Sequence, residues 1–586
     1  MVDMVTLQVI MNGLQSITDE MNMALIRTAF STNIKDRRDC SCAVYTAARE
    51  AIAQTELGCP VHLGIMPSAL DAVFADMRIE DFEEGDHLIV NVPYPNGPGH
   101  LNDITMVSPV FVEGRAAFLV ANMAHHVDVG GYGPGSMATG VWEIYQEGVQ
   151  IPPLKIVKHG TLEPELMSLI ATNVRTGAEI RGDIRAQIAC NNVGIRRTKD
   201  LVDRYGVDTL QQYITAIFDY SERRTRAGLQ ALPAGVYRFE DYVEGTARTA
   251  ELLKIQVAVT IAEDSIFFDF SGTDSQVDDS LNSNEACTRS ACYYVVKALI
   301  DPGLPPNLGT YRPIRIHAPK GSIINANQPA AISNATIVTA PKVVDVLLGA
   351  LLDTDRKRTA AASNGVTSLL NIGGKDPRTR RLYNYVETYA GGQGAVHNQD
   401  GMDAVQCHMT NTRNAPVEAI ELAYPLQVHS YSLRQNSEGP GRFRGGLGMR
   451  REIEVRGENA TLTVSTDRAR LKPWGAFGGC PGANAACRIR HVNGETEQLP
   501  YSKMTGPVAQ GDVVVIDTPG AGGWGNPLTR HPQEVLRDVI EQFITLKRAK
   551  ARYGVVILED ADGHRVDARA TQELRQSMLR NSAREC

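Results

Sequence analysis

The sequence predicts a mixed α/β (α+β) chain built from several packed units, and three observations carry that reading. A chain of 586 residues, 43% hydrophobic and 22% charged, exceeds the roughly 250–300 residues at which a single apolar core stops growing. Apolar residues recur at helical intervals in some segments and alternate with polar ones in others. The 52 glycines include dense clusters in the second half, at GGQGAVHNQDG, GPGRFRGGLGMRRE, GAFGGCPGA and TPGAGGWGNP, where they predict tight turns between many short strands and no repeat of fixed period.

Taken in order, residues 5–30 read as an amphipathic helix with Leu7, Ile10, Met11, Leu14 and Ile17 on one face, followed by a turn at 31–35. Alternating segments at 40–45, 87–92, 105–111 and 116–122 read as strands joined by Gly/Pro/Asn-rich loops, so residues 1–140 form an N-terminal α/β unit. Residues 141–234 turn mainly helical, with Ile180, Ile184 and Ile188, then Leu210, Tyr213, Ile214 and Phe218, at helical intervals. Residues 235–372 resume strands up to Phe270, then a helix over 288–300 that ends at Asp301-Pro302-Gly303, and a buried helix over 341–353. The charged loop 375–381 enters a glycine-rich, mainly β unit at 373–530. A helix over 532–553 and a polar tail complete a last unit, 531–586.

A net charge of -8 argues against nucleic acid and anionic membrane as partners, since neither attracts a mildly acidic surface. The start, MVDMVTLQVIMNGLQSITDEMN, carries acids where a secretory leader carries bases. The apolar stretch 335–352 contains Pro341, Lys342 and Asp345, and would bury charge in a bilayer. Ten cysteines are sparse, and the pair Cys40-x-Cys42 lacks a second zinc knuckle. All ten read as small buried residues of a soluble, cytoplasmic protein, and a small polar substrate fits best.

Three N-terminal segments concentrate groups able to bind a cation: DRRDCSC (36–42), GPGHLNDIT (97–105) and NMAHHVDVGGYGPGSM (122–137). Their histidines and aspartates suit zinc, manganese or iron better than a thiolate centre does. His100 and Asp103, three apart, also fit an ordinary surface loop. Of His125 and His126, adjacent on a strand and so on opposite faces, at most one ligates directly. The acidic stripe Glu179, Asp183 and Gln187 reads as the wet side of a helix, DFSGTDS (269–275) as a strand-to-turn junction, and the pair Arg442 and Arg444 as a solvated strand edge. No GxxxxGK[ST] phosphate loop occurs in the chain.

The runs DRRDCSCAVY, VPYPNGPGHLNDITMVSPVF and AHHVDVGGYGPGSM, in this order, resemble the hydantoinase B family, and the likeness continues through NVRTGAEIRGDIRAQIA, NSEGPGRFRGGLGMRRE and TPGAGGWGNP to cover nearly the whole chain. That family includes N-methylhydantoinase and caprolactamase β subunits, the C-terminal half of 5-oxoprolinase, and subunits of acetone and acetophenone carboxylases. The resemblance implies a divalent metal held by Asp39, His100, Asp103 and His125, with His126 and Asp128 behind them. It also implies an ATP-binding A-type partner that phosphorylates the carbonyl of a small cyclic amide, in a heterotetramer or larger assembly. A metal-assisted hydrolysis would then open the ring. A ketone carboxylase subunit and a non-catalytic scaffold remain alternatives. The chain is shorter than the acetone carboxylase subunit it resembles, and its full ligand set speaks against a scaffold, because clustered polar ligands are costly to bury.

Overall fold

Asp3 caps the first helix: its carboxylate accepts the Thr6 backbone N–H at 2.8 Å, satisfying a first-turn donor that no intrahelical carbonyl reaches. That helix, Met4–Thr28, buries Leu7, Ile10, Leu14, Ile17, Met21 and Leu25 along one stripe and lays it against the long helix Gly177–Tyr205 and the strand Cys40–Thr46. The computed structural model describes residues 3–561 and 563–582.

The first sheet is wholly antiparallel and has seven strands, in the order Ala51–Gln54, Cys40–Thr46, Arg115–His125, Asp103–Val112, His87–Val90, Leu154–Lys158, Thr161–Leu162. Side chains alternate between its faces. On Cys40–Thr46, the residues Cys40, Cys42 and Val44 join the core under the long helices, while Ala43 and Tyr45 join a larger core on the other side. Helix His62–Asp76 covers that second face and packs on helix Glu285–Ile300.

A second sheet runs Ile314–His317, Ser265–Asp269, Leu252–Ala262, Gly235–Glu244, with one parallel pair between the first two strands. Helix Ala340–Ala350 packs on it, and one apolar cluster extends from Ala43 to Met409, so the first two sheets share a core. Two further large sheets follow. One runs Leu382–Tyr389, Ser368–Lys375, Glu458–Ser465, Lys503–Val508, and the other Leu426–Leu433, Met449–Val455, Val513–Asp517, Ala486–Arg490, Thr496–Gln498. Leu370, Tyr385, Leu462, Ile453 and Ile516 interdigitate between them.

The glycine clusters correct the sequence reading. Gly478 and Gly525 do turn, at φ of 89° and 71°, but elsewhere the clusters lie side by side and bond backbone to backbone. The Gly446 N–H donates to the Gln393 carbonyl at 2.9 Å, that of Ala521 to Gly446 at 3.0 Å, and that of Gly522 to Ala362 at 2.8 Å. A Cβ on Gly446 would fall 1.9 Å from the Met402 carbonyl oxygen, so the missing side chain is what allows the approach. The C-terminal helix also differs from expectation. It breaks into Pro532–Ile540 and Leu546–Tyr553, because Gln542 takes φ of 61° and Thr545 caps a fresh helix through the Arg548 N–H. The polar tail forms a hairpin, Ile557–Asp560 with Gly563–Val566, and a helix, Ala568–Ser582; its last four residues, 583–586, lie outside the described residues. Eight described cysteines are buried, Cys480 is half-buried, and Cys586 lies outside the described residues. No helix among the described residues is long and apolar enough to cross a membrane.

Charge buried in helix Ala340–Ala350 ties the halves together. Lys342 lies 3.0 Å from Asp467, which also accepts from Lys503 at 2.9 Å. Arg468 bridges Asp241 of the second sheet and Asp345 of the helix at 2.7 and 2.8 Å. Burial alone would favour a neutral Asp467, but the ammonium groups of Lys342 and Lys503 outweigh it and hold the carboxyl below the usual carboxylate range. Asp467→Ala strands two buried cations, and such a loss costs ~3–5 kcal/mol. A lower thermal unfolding midpoint is expected; an unchanged one would show that the network adds nothing. Since the folded pKa is depressed, the stabilisation is complete above the unfolded value and fades as pH falls, so the gap between wild type and variant should narrow only below about pH 4.

Candidate metal centre

Three strand ends meet in one row at an edge of the first sheet. Asp103 stands opposite His125 in the ladder, and Cys40 opposite Ala124. The same register carries Asp39, one residue before its strand, to His125, whose N–H donates to the Asp39 carbonyl at 3.1 Å. Residues directly opposite in an antiparallel pair project to the same face, ~5 Å apart. His100 joins from the preceding loop, where a tight turn sends the Asp103 N–H to the His100 carbonyl at 3.2 Å.

His100, Asp103 and His125 each offer a ligand atom, all within 4.8 Å of one another. His100 Nε2 and Asp103 Oδ2 face each other at 3.2 Å as a buried ion pair, without hydrogen-bond geometry between them or to any other described group. Both residues are only 1% exposed. Leaving two such atoms unsatisfied is expensive, and one cation between them would satisfy both, so the donor set fits a metal. His100 Nδ1 faces the Ser333 carbonyl at 3.3 Å, the kind of outer contact that presents the other ring nitrogen inward. Behind it, Glu147 Oε1 accepts the Ser333 N–H at 2.7 Å. Burial lifts the Glu147 carboxyl to about 7, and its Oε2 has no partner among the described residues.

The charges are set by competition between burial and neighbours. Burial pulls the His100 pKa down, but Asp103 beside it wins and raises it. Burial likewise opposes ionisation of Asp103, and His100 outweighs it, so the carboxyl sits below its usual range. Burial pushes His125 down to about 4, which keeps its ring neutral, the form that ligates. The Asn33 side-chain amide lies 2.7 Å from His125 Nδ1 and donates to its carbonyl at 2.9 Å. Arg37 donates to Asn33 and reaches across to the Val386 carbonyl and Thr388 Oγ1 at 3.1 and 2.8 Å.

The cavity is about 30 Å³, room for little beyond an ion and a water. Its floor is Asp39, His100, Asp103 and His125, while Thr336, Leu369, Val386 and Met409 close it from the second half of the chain. The structure adds residues that the sequence reading did not single out. Asp39 forms a second potential ligand group with Cys59 and His62, from the C-x-x-H of GCPVHLG at 58–64, a spacing visible in the sequence. His62 Nδ1 sits 2.8 Å from Ser41 Oγ. Burial holds the Cys59 thiol well above its ordinary pKa.

His126 and Asp128 lie off the cavity lining. His126 turns to the opposite face and meets Gln187 at 3.0 Å. Asp128 accepts from Gly130, Ser136 and Arg175 at 2.8, 3.0 and 3.1 Å. The stripe on helix Gly177–Tyr205 is corrected: Asp183 and Gln187 are buried, Asp183 accepting the Phe30 and Ser31 N–H groups and Gln187 donating to the Ile104 carbonyl. Arg444 is likewise buried, paired with Asp403 and Asp538 at 2.7 and 3.1 Å. The turn after Asp269 is an ordinary one, its carboxylate accepting the Ser271 N–H at 2.9 Å.

An uncharacterised protein of Methanocaldococcus jannaschii is 39% identical over 98% of this chain and all of its own. The B-type subunit of a putative D-/L-hydantoinase from a Pseudomonas species is 32% identical over 98% of each chain. Among solved structures, ATP-dependent caprolactamase from Pseudomonas jessenii superposes with a TM-score of 0.90 at 31% identity, over 98% of this chain and 100% of that one. Nucleotide-free acetone carboxylase gives a TM-score of 0.91 over 99% of this chain and 84% of that one, and at 20% identity shares the fold. The Hydantoinase B/oxoprolinase family profile matches residues 3–527, and the chain belongs to that family.

Proposed function

We propose that this chain is the metal-holding, B-type component of an ATP-dependent hydrolase that opens a hydantoin, oxoproline or lactam ring after an A-type partner has phosphorylated the ring carbonyl. The observation that carries the reading is the buried pair His100 Nε2 and Asp103 Oδ2, which face each other at 3.2 Å without hydrogen-bond geometry, with Asp39 and His125 beside them on aligned strand ends. Asp39, His100, Asp103 and His125 would hold a divalent ion. Two carboxylates balance its charge, and with the imidazoles the set suits zinc, manganese or iron. Such an ion supplies Lewis-acid stabilisation of oxyanions and acidifies water.

The chain's own groups prepare that place. Arg37 and Asn33 fix the orientation of His125, and Ser333 fixes His100. His126 and Asp128 brace the segment that follows His125, through Gln187 and Arg175. The closed walls limit water around such an ion. Names of relatives as subunits, together with the missing phosphate loop, support ATP binding on another polypeptide, and the resemblance implies a heterotetramer or larger assembly.

Elemental analysis of the purified chain should find about one divalent ion per chain, lost in both His100→Ala and His125→Ala while circular dichroism stays native. Ring opening with the partner and ATP should fall by at least ~10²-fold in each variant; a metal-free wild type that still opens the ring would refute the reading. Glu147→Ala should weaken metal affinity by ~10–100-fold, and Glu147→Gln, which keeps an acceptor for Ser333, should restore most of it. Equal affinities in a competition titration would remove Glu147 from any part in positioning His100.

A further inference from the structure

Cys59 and His62 form a tight turn of the same kind as His100 and Asp103. In one, the Asp103 N–H returns to the His100 carbonyl at 3.2 Å; in the other, the His62 N–H returns to the Cys59 carbonyl at 2.9 Å. The ligand atoms of Cys59, His62 and Asp39 all lie within 4.8 Å of one another. These three residues line the same space of about 30 Å³ as His100, Asp103 and His125. Outer contacts hold the second group in place as they do the first. Ser41, two residues on from Asp39 and so on the same strand face, accepts the Cys59 N–H at 3.0 Å and lies 2.8 Å from His62 Nδ1. One hydroxyl thus orients both donors and leaves His62 Nε2 to ligate. Gly58 makes room for it, since a Cβ there would fall 2.5 Å from Ser41 Oγ. The Met409 carbonyl accepts the Val61 N–H at 3.1 Å and the Cys59 thiol at 3.3 Å, which fixes the turn. The Asp39 carboxylate takes no hydrogen bond or ion pair from any described residue, a costly state for a carboxylate facing an enclosed cavity.

We propose that Asp39, Cys59 and His62 hold a second divalent cation beside the first, with the Asp39 carboxylate shared between the two. The proposal rests on the metal reading above and deepens it. The resemblance assigns Asp39 to the first ion, whereas the geometry groups it with Cys59 and His62; a carboxylate has two oxygens and serves both. Thiolate, imidazole and carboxylate together select a borderline cation such as zinc or cobalt(II) over magnesium or calcium. As the sulfur ligates, the S–H bond gives way to a sulfur–metal bond and the proton leaves to solvent. A bare divalent ion is far smaller than a water, so a pair ~3.5–4 Å apart that shares a carboxylate stays within a small space. Repulsion between the two ions makes the second the weaker one, so the chain as purified carries about one and the other place fills when cation is added. Cys59 also forms part of the wall of a larger hollow, of about 500 Å³, which supplies the entry path that a metal site requires. A paired centre stabilises the entering and the leaving oxygen of a hydrolysis together.

The test is equilibrium dialysis of the purified full chain against cobalt(II), with elemental analysis and absorption spectra on the same samples. Expected in the wild type is a second equivalent of metal per chain, with a sulfur-to-cobalt charge-transfer band in the near ultraviolet. Cys59→Ser should lose the band, and both it and His62→Ala should bind the second equivalent at least ~10–100-fold more weakly while keeping the first. The band is read on the wild type, so a variant that does not fold leaves the test intact. A wild type that saturates at a single equivalent with no sulfur band, or a second equivalent that neither variant weakens, would overturn the proposal and leave the first site standing. A single sulfur-ligated ion that survives His100→Ala and is lost in Cys59→Ser would sustain the site at Asp39, Cys59 and His62 and overturn the assignment of the ion to His100, Asp103 and His125.

Discussion

The antiparallel register of three strands, Cys40–Thr46, Arg115–His125 and Asp103–Val112, is the constraint on which the candidate site depends. A slip by one residue would turn His125 to the helix-covered face and bring His126 to the cavity. Buried side chains guard against that slip. Asn122 donates to the Gln187 carbonyl at 2.9 Å and to Asn191 Oδ1 at 2.7 Å, while Gln187 and Asn191 donate back to the Ile104 and Met106 carbonyls. The polar residues of helix Gly177–Tyr205 thus read the register of the sheet, and each would be left unpaired and buried if it changed.

The second half of the chain turns a row of ligands at a sheet edge into a closed cavity. Arg37 spans the junction, anchored to Asn33 on one side and to Val386 and Thr388 on the other. The network of Asp241, Lys342, Asp345, Asp467, Arg468 and Lys503 locks the sheets beneath it. Buried pairs of this kind add little net stability over apolar packing, but they are strongly directional. Here that direction serves a cavity whose walls come from residues as far apart as Arg37 and Thr410. The glycine segments act by the same logic, since backbones stacked without side chains fix the loops around Gly446 and Ala521 through hydrogen bonds at 2.9 to 3.0 Å.

Much of this was legible from the sequence. Helical and alternating periodicity located the helix Met4–Thr28, four of the seven strands of the first sheet and the helix Ala340–Ala350 to within a few residues, because periodicity records which face is buried; the short strands Ala51–Gln54, Leu154–Lys158 and Thr161–Leu162 escaped it. Alternation also separated His125 from His126, which the structure places on opposite faces. The reading failed where burial was polar. Asp183, Gln187 and Arg444 looked solvated because charge predicts exposure unless a partner is known, and their partners lie up to 153 residues away. At the glycine clusters it gave tight turns, which Gly478 and Gly525 make, but not the backbone segments that lie alongside.

The sequence by itself determined the element types, the mixed α/β class, the family and the three segments that carry the candidate ligands, all of which are encoded in local pattern or contiguous motif. Tertiary structure decided which atoms of those segments meet, that His100 Nε2 and Asp103 Oδ2 face each other without a hydrogen bond, that Cys59 and His62 border Asp39, and that a larger hollow shares a wall with the small one. The reason is physical: ligand geometry and cavity volume are set by register and by packing between residues hundreds of positions apart, and no local pattern along the chain carries that distance.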